Sequence, residues 1–331
     1  MEDKYDEVLL KYDFSVRSLG RMRGAILLNT DKGYKVMRET HASAGRLIWE
    51  NKVMNHLKER NFVKIDAFNV NCEGNISTAG FAGVRYTVKD WYMGNECDMK
   101  NCAEVAAAAK NMANLHKGLM GIVKDDLCIT AEPENILKVF ERHLAELRRV
   151  RNYIRGSKDK NEFERSWLSV YEMYYEQAVK AVKLLSESPY EKILAGVLSR
   201  GEVSHGSYTY HNVYMCEDGV PFTTTFEKCA YGMQIMDLYY FLRKCMEKNE
   251  WNEEYGRSII SGYESIKRLG AEEYRILGIL LLYPEKFWKL SSFYMNGKKR
   301  LMAAKNLKKL ELLNMQYENR VNFVGEMVGN V

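Results

Sequence analysis

The hydrophobic and polar positions near the start of the chain predict a hairpin followed by a helix. Residues 24–29 and 33–38 are short β-prone runs, and the Thr-Asp-Lys-Gly tetrapeptide at 30–33 has the composition of a hairpin turn. Over residues 44–60 the apolar spacing becomes helical and places three residues on one face: Leu47, Met54 and Leu57. We therefore expect two paired strands and then a helix.

A second β-prone section follows the predicted helix and extends over residues 66–91. It contains a turn-like Asn-Cys-Glu-Gly-Asn segment at residues 71–75. Together with the first hairpin and the helix, this section gives the β-β-β-α-β-β order that is typical of a kinase small lobe.

Beyond Trp91 the pattern becomes that of long helices. We predict helices over residues 102–119, 133–154 and 162–185, and Pro133 favours a helix start because its φ angle is fixed. Later in the chain, residues 213–215 and 221–226 predict a small β-hairpin around Glu217, Asp218 and Gly219.

These elements predict an α+β fold of the bilobal, protein-kinase-like type, with a β-rich N-lobe and a mainly α-helical C-lobe. The pattern divides the lobes near residue 93, so residues 1–93 form the N-lobe and residues 94–331 form the C-lobe. The small hairpin lies in segment 202–228 of the C-lobe. A β-hairpin inside a helical lobe is where kinases keep their catalytic loop.

Composition places the chain among ordinary globular proteins. Its 331 residues, 46% hydrophobic and 28% charged, are enough for two lobes, and a net charge of +5 is too small to require a polyanionic partner. The first eleven residues carry four acidic side chains where a secretory signal needs a basic start. The longest apolar run, residues 276–283, is far below the roughly 20 residues that span a bilayer, so we expect a buried helix there and no membrane span.

The seven cysteines contain no CxxC pair and are odd in number, which argues against a disulfide framework. We expect reduced thiols in a cytoplasm. Cys97 and Cys102 with a distant histidine would make a loosely spaced zinc site, and we expect thiols there and no bound metal.

A basic segment near the C-terminus is the one strong local charge feature. Residues 286–310 contain eight lysines and arginines and no acid, interleaved with four aromatic residues: Phe287, Trp288, Phe293 and Tyr294. Such a stripe can bind nucleic acid or an acidic surface, but on a helix it is typical of a solvated face beside a core face. We do not expect a nucleic-acid partner and treat the segment as a hint of a protein partner.

Segment 205–212, HGSYTYHN, resembles the HGDxxxxN catalytic loop of aminoglycoside phosphotransferases and related kinases. In that family the aspartate accepts the proton of the attacking hydroxyl, and the asparagine helps to hold magnesium. Here Asn212 is kept, but Ser207 occupies the base position. A serine hydroxyl has no useful basicity near neutral pH, so general-base assistance, typically worth ~10² to 10⁴-fold, is lost.

The second signature of the family is of the IDFD or IDWE type, in which the first aspartate binds the magnesium that bridges the phosphates. The matching residues are Thr-Thr-Phe-Glu at 224–227, which puts Thr225 at the position of that aspartate. A neutral hydroxyl cannot replace a metal-binding carboxylate in phosphoryl transfer. Glu227 keeps the second acidic position and, with Asn212, could hold one weakly bound ion.

In the small lobe, Arg38 stands where the family has the lysine that pairs with the α- and β-phosphates. Glu50 lies on the same helical face as the apolar residues, so a basic partner is expected for it, and we predict an Arg38–Glu50 ion pair. Arginine is not equivalent to lysine at a phosphate site, and such a pair can simply tie the helix to the sheet.

Three charged catalytic positions are thus changed, at Arg38, Ser207 and Thr225, and we predict no catalytic residue. The residues that remain form a vestigial nucleotide site: Arg38, Glu50, Asn212 and Glu227. We expect no cofactor and no metal ion, with ATP and magnesium as the alternative. The resemblance also implies that His116 packs and hydrogen-bonds at a helix end and that Asp237, a helix cap, braces the catalytic loop.

A closer resemblance links the chain to the CotS-type spore coat proteins of endospore-forming Firmicutes. It is carried by the catalytic-loop segment and by four further blocks: GRMRGAIL at 20–27, WYMGNECD at 91–98, DLYYFLRK at 237–244 and YPEKFWK at 283–289. The resemblance implies a protein made in the mother-cell cytoplasm and then laid into the spore coat, with other coat proteins as partners.

Two further classes of function remain open beside a non-catalytic coat scaffold. One is an active small-molecule phosphotransferase of the aminoglycoside or choline kinase type, with Glu227 and Asn212 as metal ligands. The other is a pseudokinase that senses nucleotide without turnover. A kinase needs Mg-dependent ATP consumption, a sensor needs nucleotide-dependent stabilisation, and a scaffold needs neither.

Overall fold

A computed structural model describes residues 3–22, 24–62, 64–123, 133–297 and 299–329. The chain forms two compact units. The first contains residues 1–133, 197–241 and 259–267, and the second contains residues 134–196, 242–258 and 268–331. The lobe boundary near residue 93 stays a prediction, because these units are divided at other positions.

The first unit is built on an antiparallel sheet. Its strands are β1 (Val16–Met22), β2 (Ala25–Thr30), β3 (Gly33–Glu39), β4 (Phe68–Asn69), β5 (Ser77–Ala79) and β6 (Arg85–Asp90). The order across the sheet is β1-β2-β3-β6-β4, and β5 also pairs with β6. The predicted first hairpin is confirmed as β2 and β3, and the second β section as β4 to β6.

The turn between β2 and β3 forms as its composition predicts. Thr30 pairs with Gly33 in register, and the Thr30 hydroxyl accepts a hydrogen bond from the Lys32 amide at 3.1 Å. Gly33 has a φ angle of 87°, a left-handed conformation that favours glycine. Local sequence therefore determines this turn.

Helix α2 (Ala44–Glu59) follows β3 and confirms the predicted helix. Its N-cap, Ser43, accepts a hydrogen bond from the Arg46 amide. The predicted apolar face is buried at Leu47, Met54 and Leu57, and Glu50 is buried among them.

The other face of the sheet is covered by α1 (Asp3–Leu9), which the sequence pattern did not predict. Val8 of this helix and Tyr12 after it pack with Leu28, Met37 and Val88. Each strand therefore alternates between a face toward α1 and a face toward α2.

The helices after the sheet are α3 (Cys102–Gly118), α4 (Ile136–Gly156), α5 (Glu162–Ser186), α6 (Tyr190–Ala195), α7 (Ile235–Lys248), α8 (Glu253–Glu264), α9 (Ala271–Leu282), α10 (Glu285–Asn296), α11 (Lys299–Met315) and α12 (Tyr317–Val328). The three predicted long helices are confirmed as α3, α4 and α5. Helix α4 begins at Ile136 and not at Pro133, because the Asn135 side chain accepts a hydrogen bond from the Lys138 amide and caps the helix there.

Short strands connect the helical parts of the first unit. They are β7 (Asn95–Glu96), β8 (Val203–Ser204), β9 (Val213–Met215), β10 (Phe222–Thr223) and β11 (Ala230–Tyr231). The predicted hairpin is confirmed as β9 and β10, with Phe222 opposite Tyr214. Strand β7 adds to its edge, and β8 pairs with β11.

The second unit has an aromatic core between α4, α5, α10 and α11. Phe287 of α10 stacks on Trp167 and Tyr174 of α5, with ring centroids 5.4 and 4.5 Å apart. In α9 the predicted apolar segment is confirmed as a buried helix. Among the described residues, no helix is long and apolar enough to cross a membrane.

Candidate functional site

The catalytic-loop segment lies in the first unit and is held by Asp237 of α7. The Asp237 carboxylate accepts hydrogen bonds from the His205 amide at 2.7 Å and from the Gly206 amide at 2.8 Å. Gly206 has a φ angle of 72°, and a Cβ there would lie 2.3 Å from the Lys228 carbonyl oxygen. Only glycine fits at this position without a shift of the Lys228 backbone.

His116 contacts the carboxylate of Asp237. Its Nε2 lies 3.1 Å from the Asp237 carboxylate and its Nδ1 lies 2.8 Å from the Tyr263 hydroxyl. Burial lowers the pKa of His116. Burial would raise the pKa of Asp237, but the hydrogen bond and charge interaction with His116 lower it. The expected packing role of His116 and the bracing role of Asp237 both agree with these contacts.

His205 is fully buried behind the loop and is neutral at physiological pH. Its Nδ1 accepts a hydrogen bond from the Ser207 amide at 3.2 Å, so the proton lies on Nε2, which donates to the Thr224 carbonyl at 3.1 Å. Burial lowers the pKa of His205 to about 4. The histidine therefore links the loop to the β10 strand end as a structural group.

Ser207 and Asn212 are bonded to each other. The Asn212 side-chain amide donates to the Ser207 carbonyl at 2.8 Å and to the Ser207 hydroxyl at 3.3 Å. The backbone carbonyl of Asn212 accepts a hydrogen bond from the Thr224 amide at 2.9 Å. The asparagine that would help to hold magnesium thus fixes the loop at its degenerate base position.

Thr225 adopts a left-handed conformation, with φ 70° and ψ 59°. A β-branched residue rarely occupies this region, so the position is strained. The Thr225 amide donates to the Asp66 carboxylate at 3.1 Å, and its hydroxyl lies 3.2 Å from the Thr224 hydroxyl. Thr225, where the resemblance places a metal-binding aspartate, therefore has an unusual backbone conformation and a neutral hydroxyl.

A cavity of about 380 Å³ lies between β3, α2 and the turn after Thr225, all within the first unit. Three of the four predicted nucleotide-site residues line it, namely Arg38, Glu50 and Glu227. Asn212 is not among its lining residues. Lys89, Asp66 and Arg46 also line the cavity, and the sequence analysis did not select them.

Lys89 is bound by two carboxylates in this cavity. Its ammonium nitrogen lies 2.5 Å from the Glu50 carboxylate and 3.5 Å from the Asp66 carboxylate. All three side chains are at least nine-tenths buried. Burial would lower the pKa of Lys89, but the charges of Asp66 and Glu50 raise it. Burial raises the pKa of Asp66 to about 6.

The predicted Arg38–Glu50 ion pair is wrong, because Glu50 pairs with Lys89. Arg38 is opposite Thr87 in the sheet, and Lys89 is two residues further along β6. Strand alternation therefore puts Arg38 and Lys89 on the same face, toward α2, and Lys89 is the residue that reaches the Glu50 carboxylate. The Nε of Arg38 is buried and has no hydrogen-bond partner among the residues that the structure describes.

Helix α2 also fixes the turn that follows Thr225. Arg46 donates to the Cys229 carbonyl at 2.7 Å and to the Phe226 carbonyl at 3.1 Å. The indole of Trp49 donates to the same Cys229 carbonyl at 2.8 Å. These bonds satisfy buried carbonyl groups and leave little freedom for the turn to rearrange.

The donor set does not fit the magnesium-bridged nucleotide of active relatives of this fold. Magnesium is held mainly by carboxylates together with substrate phosphates, and the two loop positions present Ser207 and Thr225. Glu227 is exposed, while Glu50 and Asp66 share the ammonium group of Lys89 as their cation. Within the described ranges, no group of three or more His, Cys, Asp or Glu side chains is arranged to hold a metal ion.

Comparisons with known proteins identify the fold. An aminoglycoside phosphotransferase from Alicyclobacillus acidocaldarius has a TM-score of 0.86 at 17% identity, covering 96% of this chain and 93% of that one. A microcompartment-associated aminopropanol kinase has a TM-score of 0.60 at 13% identity and covers both chains fully. The chain therefore has the aminoglycoside-phosphotransferase-like kinase fold, and the predicted fold class is confirmed.

The sequence comparison is more specific. Spore coat protein S of Bacillus subtilis (strain 168) is 22% identical over 297 residues, which are 89% of this chain and 82% of that protein. No protein-family model matches the chain. The chain is a homologue of Spore coat protein S, which confirms the resemblance identified from its sequence blocks.

Proposed function

We propose that this protein is a structural component of the bacterial spore coat and that its kinase-like cleft does not transfer phosphate. The likeness to Spore coat protein S supports the coat role. The protein is then made in the cytoplasm of the mother cell and assembled onto the spore through contacts with other coat proteins.

The observation that carries the loss of transfer is the pair of neutral side chains, Ser207 and Thr225, at the two loop positions where the resemblance expects carboxylates. Phosphoryl transfer requires cations aimed at the phosphate oxygens and carboxylates that hold a bridging metal. The hydroxyls of Ser207 and Thr225 supply neither a base nor a metal ligand. In the cavity, Lys89 is shared by Glu50 and Asp66, so its one positive charge balances only one of the two carboxylates.

The Lys89 ion pairs stabilise the link between α2 and the sheet. Both carboxylates are more than nine-tenths buried, so loss of Lys89 leaves buried charges without a partner, which typically costs about 3–5 kcal/mol.

The rest of the site supports a rigid scaffold. Asp237 holds the loop backbone, and Arg46 and Trp49 hold the turn after Thr225. Each bond joins segments that are far apart in sequence, so together they fix the loop and the turn within the first unit. A protein incorporated into a solid assembly gains from such a body because less conformational entropy is lost on docking.

Nucleotide sensing without turnover is the second candidate function, and one observation favours it. Arg38 lines the cavity, and within the described part of the chain its buried Nε has no hydrogen-bond partner. An unsatisfied guanidinium nitrogen is the kind of group that an anionic ligand would satisfy.

A fluorescent fusion of the full chain, expressed from its own promoter in sporulating cells, tests the coat role. We expect a signal that moves from the mother-cell cytoplasm to the spore surface, both for the natural protein and for Asn212→Ala combined with Glu227→Gln. A signal that stays in the cytoplasm contradicts the coat role. Loss of localisation in the double variant alone indicates that the cleft has a function.

Melting temperatures with ATP, with and without magnesium, test the sensor. Occupancy at 100 times the dissociation constant adds ~2.7 kcal/mol and gives a visible shift. The scaffold proposal predicts no shift at millimolar ATP. A shift that Arg38→Ala removes supports the sensor instead.

A further inference from the structure

A groove of about 600 Å³ lies in the second unit, between the end of α7, α10 and α11. Its apolar lining consists of Leu290, Phe293 and Leu312. Phe293 is 46% exposed and Leu312 is 43% exposed, although each belongs to a helix that contributes to the aromatic core. Single exposed apolar residues are common, but two that share one concave site with a third indicate a contact surface.

The sides of the groove are basic. Four lysines line it, namely Lys248, Lys286, Lys289 and Lys309, against one carboxylate, Glu247. Lys286 lies 3.8 Å from Glu247, and Lys289 lies 3.1 Å from Glu285. Among the described residues, Lys248 and Lys309 have no carboxylate within salt-bridge distance. The groove therefore has an excess of positive charge.

The arrangement follows from helical periodicity. Lys286, Lys289, Leu290 and Phe293 are spaced i, i+3, i+4 and i+7 on α10, which places them on one side of the helix. Lys309 and Leu312 have the same i, i+3 relation on α11. Lys309 also lies 5.5 Å from the centre of the Phe293 ring. Two helices thus present matched pairs of cationic and apolar groups across the groove.

We propose that this groove, defined by those four lysines and three apolar residues, binds an acidic amphipathic segment of a partner protein. Apolar side chains of the segment contact Leu290, Phe293 and Leu312, and its carboxylates pair with Lys248, Lys289 and Lys309. This is helix-in-groove recognition with charge complementarity. The proposal rests on the coat role only in assigning the partner to the coat.

Nucleic acid fits the groove less well. Its affinity comes from rows of phosphates and from bases stacked on open aromatic faces. The one aromatic ring of the groove, Phe293, has Lys309 over it, and two of the three apolar residues are leucines, which offer no stacking face. Charge complementarity together with an aliphatic lining favours a peptide that is acidic and apolar at helical spacing.

The test uses the full chain and a fluorescein-labelled 14-residue peptide with leucine and glutamate at helical spacing, followed by fluorescence polarisation. Two matched peptides carry Leu→Ser or Glu→Lys, and a 14-nucleotide single-stranded DNA is the fourth probe. We expect the first peptide to bind at least about tenfold more tightly than each of the others, with affinity falling as salt rises.

Variants assign the binding to the groove. Lys289→Glu combined with Lys309→Glu should weaken the first peptide about tenfold, and Phe293→Ala should do the same. Lys305→Glu combined with Lys308→Glu is the matched control, since it makes the same change in net charge on α11 outside the groove lining. The control should stay within about twofold of the natural protein.

The proposal is overturned by equal effects of the two double variants, by tighter binding of DNA than of the peptide, or by a peptide affinity that Phe293→Ala does not change. Sedimentation of the protein without peptide is a further test. A dimer that the groove variants disrupt and the control variant does not would also overturn the proposal, because a second copy of the chain would then occupy the groove. Circular dichroism must show the natural fold for each variant. Absence of peptide binding would not contradict the coat role. Failure of the fluorescent fusion to reach the spore would not contradict the proposal that the groove binds an acidic segment.

Discussion

The ammonium group of Lys89 lies 2.5 Å from the carboxylate of Glu50, joining strand β6 to helix α2 inside the cavity. This lysine is on β6, the third strand after the helix in sequence, and not on β3, where the fold's phosphate-binding cation was expected. The pair therefore preserves a helix-to-sheet connection while Arg38 on β3 is not part of it.

Replacing Lys89 should lower the free energy of unfolding. In Lys89→Met, Glu50 is left as a buried charge without its cation, so we expect the free energy of unfolding to fall by about 3–5 kcal/mol in urea titrations. Lys35→Met is the matched control on β3. Its partner Asp90 keeps bonds to Asn69 and Lys58, and a loss of about 1 kcal/mol is expected.

Removing the carboxylate charges as well should restore much of the lost stability. Lys89→Met combined with Glu50→Met and Asp66→Asn removes the charges of all three groups, and apolar replacement of a buried ion pair is often neutral. A triple variant no more stable than Lys89→Met would show that the charges are not the cause. Equal losses in Lys89→Met and Lys35→Met would contradict the special position of Lys89.

Asp237→Asn tests the support of the loop. An asparagine must turn an N–H₂ group toward one of the amides of His205 and Gly206, leaving a buried donor unpaired, so the expected loss of unfolding free energy is about 1–3 kcal/mol. Asp159→Asn, at an exposed position before α5, should change the urea midpoint very little. A midpoint shift in Asp237→Asn no larger than in this control would show that the loop is held by other contacts.

The pH dependence of stability should report His205. Its pKa is lowered from 6.5 to about 4, so the unfolded chain binds more protons between these values, and stability falls as pH decreases through this window. We expect this residue to contribute a loss of about 2 kcal/mol between pH 7.5 and pH 5. Asp66 opposes the trend, because its raised pKa makes the folded state take up protons between pH 6 and its ordinary value.

His205→Gln isolates this contribution. Glutamine can accept from the Ser207 amide and donate to the Thr224 carbonyl, as the neutral histidine does, but it does not titrate. Urea midpoints at pH 7.5 and pH 5 should therefore differ less in the variant than in the natural protein. The same pH dependence in both proteins would mean that His205 is not the neutral buried group described above.

Thr225 provides a test of stored backbone strain. Asparagine tolerates the left-handed conformation far better than threonine, so Thr225→Asn should raise the free energy of unfolding by about 1 kcal/mol. Thr225→Val keeps the branched side chain and should bring no gain. If both variants melt at the same temperature, the φ angle of 70° carries no measurable strain.

Local sequence predicted those parts of the fold that depend on neighbours in the chain. The turn at Gly33, the hairpin of β9 and β10, and the helix with Glu50 on its buried face all follow from short patterns. The assignment of Ser207 and Thr225 to the base and metal positions of a kinase loop stays a prediction from the resembling blocks.

The partner of Glu50 could not be predicted in this way. Lys89 is 39 residues away and reaches Glu50 only because β6 lies beside β3 in the sheet, an order that no local pattern specifies. A lysine inside a β-prone run was the available signal, since such a run ordinarily faces the core on one side. Likewise, the hydrogen bonds from the Asn212 side-chain amide to Ser207 depend on the folded loop, so no local pattern predicts them.

The most direct test of the account is Mg-dependent ATP consumption by the natural protein, measured beside an active aminoglycoside phosphotransferase and beside Asn212→Ala combined with Glu227→Gln. The account predicts a rate equal to that of the double variant and to the reaction without magnesium. Turnover well above the double variant, dependent on magnesium, would contradict it and establish a phosphotransferase that works with Ser207 and Thr225 in place of its aspartates.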